Sequence, residues 1–92
     1  MTVAATARPS LAPKARLRTD RASGETLLLY PERGLKLNAI GEEVLRLCTG
    51  VPTVAEIAAT LATRHGGDSA VVLAEVTAFL DGLAVRGLLR GI

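Results

Sequence analysis

The side chains able to do chemistry in this chain are few and scattered: one histidine, His65, one cysteine, Cys48, and three serines, Ser10, Ser23 and Ser69. His65 precedes Gly66-Gly67 at what reads as the end of a helix. An imidazolium there meets the negative end of the helix dipole, which is a capping position rather than an acid–base one. Cys48 shares the apolar side of a helix with Val44 and Leu45, the setting of a small buried hydrophobe rather than of a thiolate nucleophile. The serines fall in a terminal segment, a turn and a helix cap, and none is placed to be activated. Glu42 and Glu43 resemble an acid–base pair, but they open a helix, where carboxylates stabilise the positive end without any reaction. A metal site needs three or four ligands, more than one His and one Cys supply. Gly66-Gly67 is too short a run to cradle a phosphate and follows no strand. The chain therefore reads as a non-enzyme that carries no cofactor and no metal.

What remains is a backbone able to bind another backbone. The stretch from Leu27 to Gly50, LLLYPERGLKLNAIGEEVLRLCTG, packs a strand, a turn, a second strand and a helix together with almost no spacer. Leu27 to Tyr30 is a short apolar run, and Pro31-Glu32-Arg33-Gly34 is turn chemistry, with proline presetting φ and glycine accepting a positive one. Leu35-Lys36-Leu37 then alternates as a half-buried strand does. It closes the sheet on one side with a single charge, so its edge can accept an extended peptide by main-chain pairing. From pattern alone that edge is equally well covered by the domain's own helix or by a second copy. A Leu35→Pro change is expected to cost peptide binding more than folding, because proline is tolerable on an edge.

The elements that position this edge follow on either side. Ala15 to Thr19 alternates apolar with basic residues, Leu17 on one face and Arg16 and Arg18 on the other, as an edge strand protected by charge. Arg21 to Gly24 is a turn, Glu25 to Tyr30 the middle strand and Gly34 to Leu37 the third, an antiparallel meander in sequence order. Asn38 caps the first helix, which is expected to close at Thr49-Gly50 with Gly50 as its C-terminal cap. Thr53-Val54-Ala55-Glu56 matches a capping box, and Val54, Ile57, Ala58 and Leu61 then share one face of a second helix. Asp68 or Ser69 caps a third helix that runs to about Arg86, with Gly87 as its stop. Val72, Val76, Phe79, Leu80 and Leu83 make a stripe along it, with Leu73 to one side, broader than two short helices and three strands would cover. The fold class is α+β: a three-stranded antiparallel sheet followed by three helices.

Composition sets the outer bounds. At 92 residues with 49% hydrophobic side chains but one Tyr, one Phe and no Trp, the chain is one small domain whose core must be aliphatic. Met1 to Pro13, rich in Ala, Thr and Pro, is expected to be a flexible arm, free in a monomer or exchanged between copies in a homodimer; residues 14–92 form the domain. A single cysteine makes no internal disulfide, the longest apolar run is Ala70 to Ala74, and the N-terminus lacks a signal-peptide core, so a cytoplasmic location is expected. The formal charge of +2 is unevenly spread: residues 1–24 hold five basic side chains and one acidic, a net +4, while residues 25–92 hold six and eight, a net −2.

The rival reading is a winged-helix DNA-binding regulator, since two helices joined by a Gly-containing connection beside a small sheet match that pattern. The third helix, which would enter the groove, carries Asp68, Glu75 and Asp81 against Arg86 and offers no Asn, Gln or Arg to read bases. Five residues after Gly87 are too few for a wing hairpin.

The order YPE, L-x-L-N, a short helix ending in Cys-x-Gly, then T-V-x-E-I and F-L-x-x-L, resembles the PqqD family, over roughly Leu11 to Leu89. Thr49 stands where an acidic residue is more usual. The resemblance implies a peptide recognition element, winged-helix-like in shape, that binds the precursor peptide PqqA of pyrroloquinoline quinone (PQQ) biosynthesis. It would present that peptide to the radical SAM enzyme PqqE, which cross-links a Glu and a Tyr of the peptide and itself holds the iron–sulfur clusters and SAM. Carried onto this chain, peptide pairing falls on Leu35, Lys36 and Leu37, and the pocket wall on Val72, Val76, Phe79, Leu80 and Leu83.

Overall fold

Alternation along residues 16–37 becomes a three-stranded antiparallel sheet in the computed structural model, which describes residues 2–30 and 33–92. Its strands are β2 (Arg16–Thr19), β3 (Thr26–Tyr30) and β4 (Arg33–Leu37), in the order β2-β3-β4 expected from the sequence. A further short strand, β1 (Ser10–Leu11), precedes them. Pro31 and Glu32, where the second turn was expected to begin, lie outside the described residues. Register fixes the faces. Leu17, Leu28 and Leu35 form one cross-strand row, and Thr26 and Leu37 pair in the next. This is the face turned to the core, with Leu28 fully buried at its centre.

Three helices cover that face: α1 (Ala39–Leu47), α2 (Val54–His65) and α3 (Ser69–Val85). Their starts are set by side chains that take up the orphan N–H groups of a first turn. The Gly41 N–H donates to Asn38 Oδ1 at 2.7 Å, and the N–H groups of Ala70 and Val71 donate to Asp68 Oδ1. At α2 the capping box is complete: the Glu56 N–H donates to Thr53 Oγ1 at 3.1 Å and the Thr53 N–H to Glu56 Oε1 at 2.8 Å. Val44, Leu45, Val54, Ile57, Leu61, Val76, Leu80 and Leu83 then bury against Leu28 as one aliphatic core. Gly66, at φ +70°, stops α2 in the left-handed conformation that glycine adopts without strain.

Thr53→Ala is expected to lower unfolding free energy by about 1 kcal/mol, read from the urea midpoint. Thr53, first through its backbone N–H and then through its hydroxyl, holds the Glu56 carboxyl below the usual carboxylate range. A group with a lowered folded-state pKa stabilises above its unfolded-state value, and the benefit is lost as pH falls through the folded-state pKa. Alanine keeps the backbone N–H that is the larger cause, and the Thr53 hydroxyl accepts from an N–H that does not titrate. The penalty of Thr53→Ala should therefore change little while both proteins lose stability on acidification.

Gly34, expected to accept a positive φ in the second turn, is instead a strand residue of β4 without one, and two larger features also differ from the sequence-based expectation. The first helix ends at Leu47, capped at Cys48 (φ −78°, ψ 67°), rather than at Gly50. Gly50 does hold a positive φ of +85°, but in the connection beyond, where its N–H donates to Pro9 O at 2.9 Å. The second is the placement of residues 2–12, most of the segment 1–13 expected as a flexible arm, which lie along the domain. The N–H groups of Val54 and Ala55, orphans of the first turn of α2, donate to the carbonyls of Ala7 and Ala5 at 2.9 and 3.0 Å. The Val3 N–H donates to Asp81 of α3, and Val3 and Ala12 are buried. Residues 10–11, as β1, pair antiparallel with a last strand, β5 (Leu89–Arg90), Leu11 opposite Leu89. The tail after Gly87, too short for a wing of its own, borrows its partner from the N-terminal segment, and Leu88 and Leu89 enter the core.

Candidate peptide-binding groove

β4 pairs with β3 on one side alone among the described residues, which leaves its other border open. Tyr30 and Arg33 are matched directly across a two-residue connection, so that pair exchanges both its main-chain bonds. Alternation then makes Leu28↔Leu35 and Thr26↔Leu37 the other bonded pairs, and points the N–H and C=O groups of Gly34 and Lys36 outward. The exposed border is thus carried by the backbones of Gly34 and Lys36. The side chains of Leu35 and Leu37 point to the core face beside it.

Between this border and α3 runs a largely apolar groove of about 450 Å³. Six of the eight residues expected at a peptide site line it: Leu35, Lys36, Leu37, Val72, Val76 and Phe79. Leu80 and Leu83, placed on the pocket wall by the sequence reading, do not. At 0% and 3% exposure they lie in the core, one and two helical turns beyond Val76 on the side of α3 turned toward Leu28 and α2. Val76 serves both, its side chain 3% exposed yet forming part of the groove wall.

The groove also uses residues that the sequence reading did not place there. Ile40, 45% exposed, forms a lip, and Val44 and Leu61 contribute from the core. Ile40 lies four residues before Val44 on the same helix face, the spacing that could have revealed it. Gly41 lets the Phe79 ring approach α1: a Cβ at Gly41 would stand 3.4 Å from Phe79 Cζ and 3.2 Å from Asn38 Oδ1. At one end His65 Nε2 meets Glu43 Oε2 at 2.6 Å, joining α1 to α2, so the imidazole is engaged by a neighbouring helix as well as lying in a last turn. Glu42, its partner in sequence, accepts from Arg46 and from the Thr26 hydroxyl, which hold its carboxyl below the usual range and tie α1 to β3.

Cys48 is buried, and desolvation pushes its thiol up to about 12, far from a thiolate at neutral pH. Among the described residues, no three His, Cys, Asp or Glu side chains cluster as metal ligands, and no helix is long and apolar enough to cross a membrane.

Known proteins resemble this chain in both sequence and fold. A curated PqqA binding protein of Rhodopseudomonas palustris (strain BisB5) is 38% identical over 89 residues, covering 97% of this chain and 87% of its own length. The fold is similar to the solution NMR structure of the PqqD truncation of Methylobacterium extorquens PqqCD, described as a functional, stand-alone RiPP (ribosomally synthesized and post-translationally modified peptide) recognition element. That match has a TM-score of 0.82 at 33% identity and covers 96% of this chain and 94% of that one. The crystal structure of PqqD from Xanthomonas campestris matches with a TM-score of 0.61 at 32% identity, covering 97% and 99%. The family model for coenzyme PQQ synthesis protein D matches residues 25–89, from the middle strand to the last, and the chain belongs to the PqqD family.

Proposed function

We propose that this protein is a non-enzymatic chaperone of pyrroloquinoline quinone biosynthesis. It binds an extended stretch of the precursor peptide PqqA as a fourth strand along β4 and presents it to the radical SAM enzyme PqqE in the cytoplasm. The observation that carries this reading is the open border of β4 running beside an apolar groove under α3. Main-chain bonds to Gly34 and Lys36 would supply affinity for any extended chain. Every second peptide side chain would fall on the core face, between Leu35, Leu37 and Ile40 on one wall and Val72, Val76 and Phe79 on the other, and supply selectivity. Curated relatives named PqqA binding proteins support the choice of peptide. Iron–sulfur and SAM chemistry would belong to PqqE. We take the working species to be a monomer with residues 2–12 folded on their own domain.

DNA binding gains no support from the fold. α3 contains Glu75 and Asp81 and no Lys or Arg, so its polar face would repel phosphates, and Glu75 is taken up in the groove.

Titration of labelled protein with PqqA, followed by amide shifts, is expected to perturb residues 34–38 and the Val72–Phe79 side of α3 together. Shifts confined to residues 2–12, with β4 silent, would refute strand addition.

A further inference from the structure

The charge asymmetry of the sequence resolves, in the fold, into a second surface. Register places Arg16, Leu29 and Gly34 in one cross-strand row and Arg18, Leu27 and Lys36 in the next, both on the side of the sheet away from the helices. Leu27 and Leu29 are half-buried yet lie outside the core cluster, because no helix packs on this side. The result is an apolar centre rimmed by Arg16, Arg18 and Lys36, with Arg21 at the near end of a shallow depression that Leu27 and Leu29 floor. Two carboxylates border it: Glu25 sits 3.4 Å from Lys36, and Asp20 accepts from the Ala22 N–H within its own turn. Among the described residues no carboxylate pairs with Arg16, Arg18 or Arg21.

This surface is poorly placed for the peptide's own side chains. A strand added to β4 lies three strand spacings, about 14 Å, from β2, which carries both arginines. It nevertheless continues the same sheet. The outward side chains of the added strand become a further column beside Gly34 and Lys36, so a partner resting on the face would touch the bound peptide directly.

We propose that the outer face of the sheet, centred on Leu27 and Leu29 and rimmed by Arg16, Arg18 and Lys36, docks an acidic surface of the enzyme that receives the peptide. This rests on the peptide-binding reading above. The argument for the occupant is charge complementarity around an apolar centre, the composition of a protein interface core and rim, in which Arg is favoured. A nucleic acid would use the cations but leave the two leucines without a contact. Such docking is steered by charge and weakens with salt. It also lets the enzyme distinguish loaded from unloaded protein, since the fourth column exists only when peptide is bound.

The test uses the full chain with the double change Arg16→Glu and Arg18→Glu, both residues exposed, with PqqA affinity and PqqE affinity of the PqqA-loaded protein measured separately. The expected result is PqqA affinity within twofold of the native chain and PqqE affinity reduced at least tenfold. Arg16→Lys with Arg18→Lys should stay within threefold, and Arg86→Glu with Arg90→Glu, off this face, should be without effect. Unchanged PqqE affinity overturns the proposal. So does a parallel loss of PqqA affinity, which would assign the arginines to the peptide, or tight salt-dependent binding of random duplex DNA that the same double change abolishes. A native chain that fails to bind PqqA at all overturns the peptide-binding reading itself, and this inference with it.

Discussion

Leu80→Ala is expected to destabilise the protein by about 2–5 kcal/mol, the cost of deleting a fully buried leucine and leaving a cavity. Small domains have roughly 5–15 kcal/mol of stability in total, so this variant should unfold at much lower urea. Its neighbour should behave in the opposite way. Phe79 is half-buried, and its ring lines the groove against Gly41 of α1, so Phe79→Ala should cost on the order of 1 kcal/mol in folding. Its PqqA affinity should fall at least about tenfold, or about 1.4 kcal/mol. Urea unfolding and peptide titration on both variants separate core from groove within one stripe of α3. A well-folded Leu80→Ala protein with impaired binding, or a Phe79→Ala protein of native affinity, would mean that the division is misdrawn.

Lys36→Pro should abolish peptide binding in a protein that still folds, while Leu35→Pro should damage the fold itself. The sequence reading expected Leu35→Pro to be the selective variant, but the register reverses the two. The Leu35 N–H faces β3, so proline there leaves the Leu28 carbonyl without its donor, at about 1–3 kcal/mol. The Lys36 N–H faces the open border, where a proline removes no bond of the sheet and is sterically allowed. What it removes is a donor to the added strand, and its ring stands where that strand must approach, so a loss of tenfold or more in PqqA affinity is expected. Circular dichroism with peptide titration decides it: native affinity in Lys36→Pro would show that the peptide does not pair with β4.

Much of this architecture was legible because it rests on local chemistry. Asn38, Thr53 with Glu56, and Asp68 announce three helix starts through the one property a cap needs, an oxygen within reach of an orphan N–H. The meander was readable because Leu17, Leu28 and Leu35 each sit in an alternating run. Two-residue strands have no period to detect, so β1 and β5 left no trace. Residues 2–9 act mainly through main-chain carbonyls, which any residue type supplies, so their Ala-, Thr- and Pro-rich composition carried no signal of where they lie. The stripe on α3 was correct as a stripe, but spacing tells only that side chains share a side of a helix. Whether a sheet, a neighbouring helix or an open groove faces Leu80 and Phe79 is decided by tertiary packing.

The carbonyls of Ala5 and Ala7 have a practical consequence for anyone dissecting this protein. They stand where solvent would otherwise hydrate the start of α2, so a fragment cut at Lys14 would discard part of a helix's termination chemistry together with β5's only pairing partner among the described residues. Expression designs that trim what looks like a dispensable leader should keep the chain from Thr2 onward and place affinity handles beyond it.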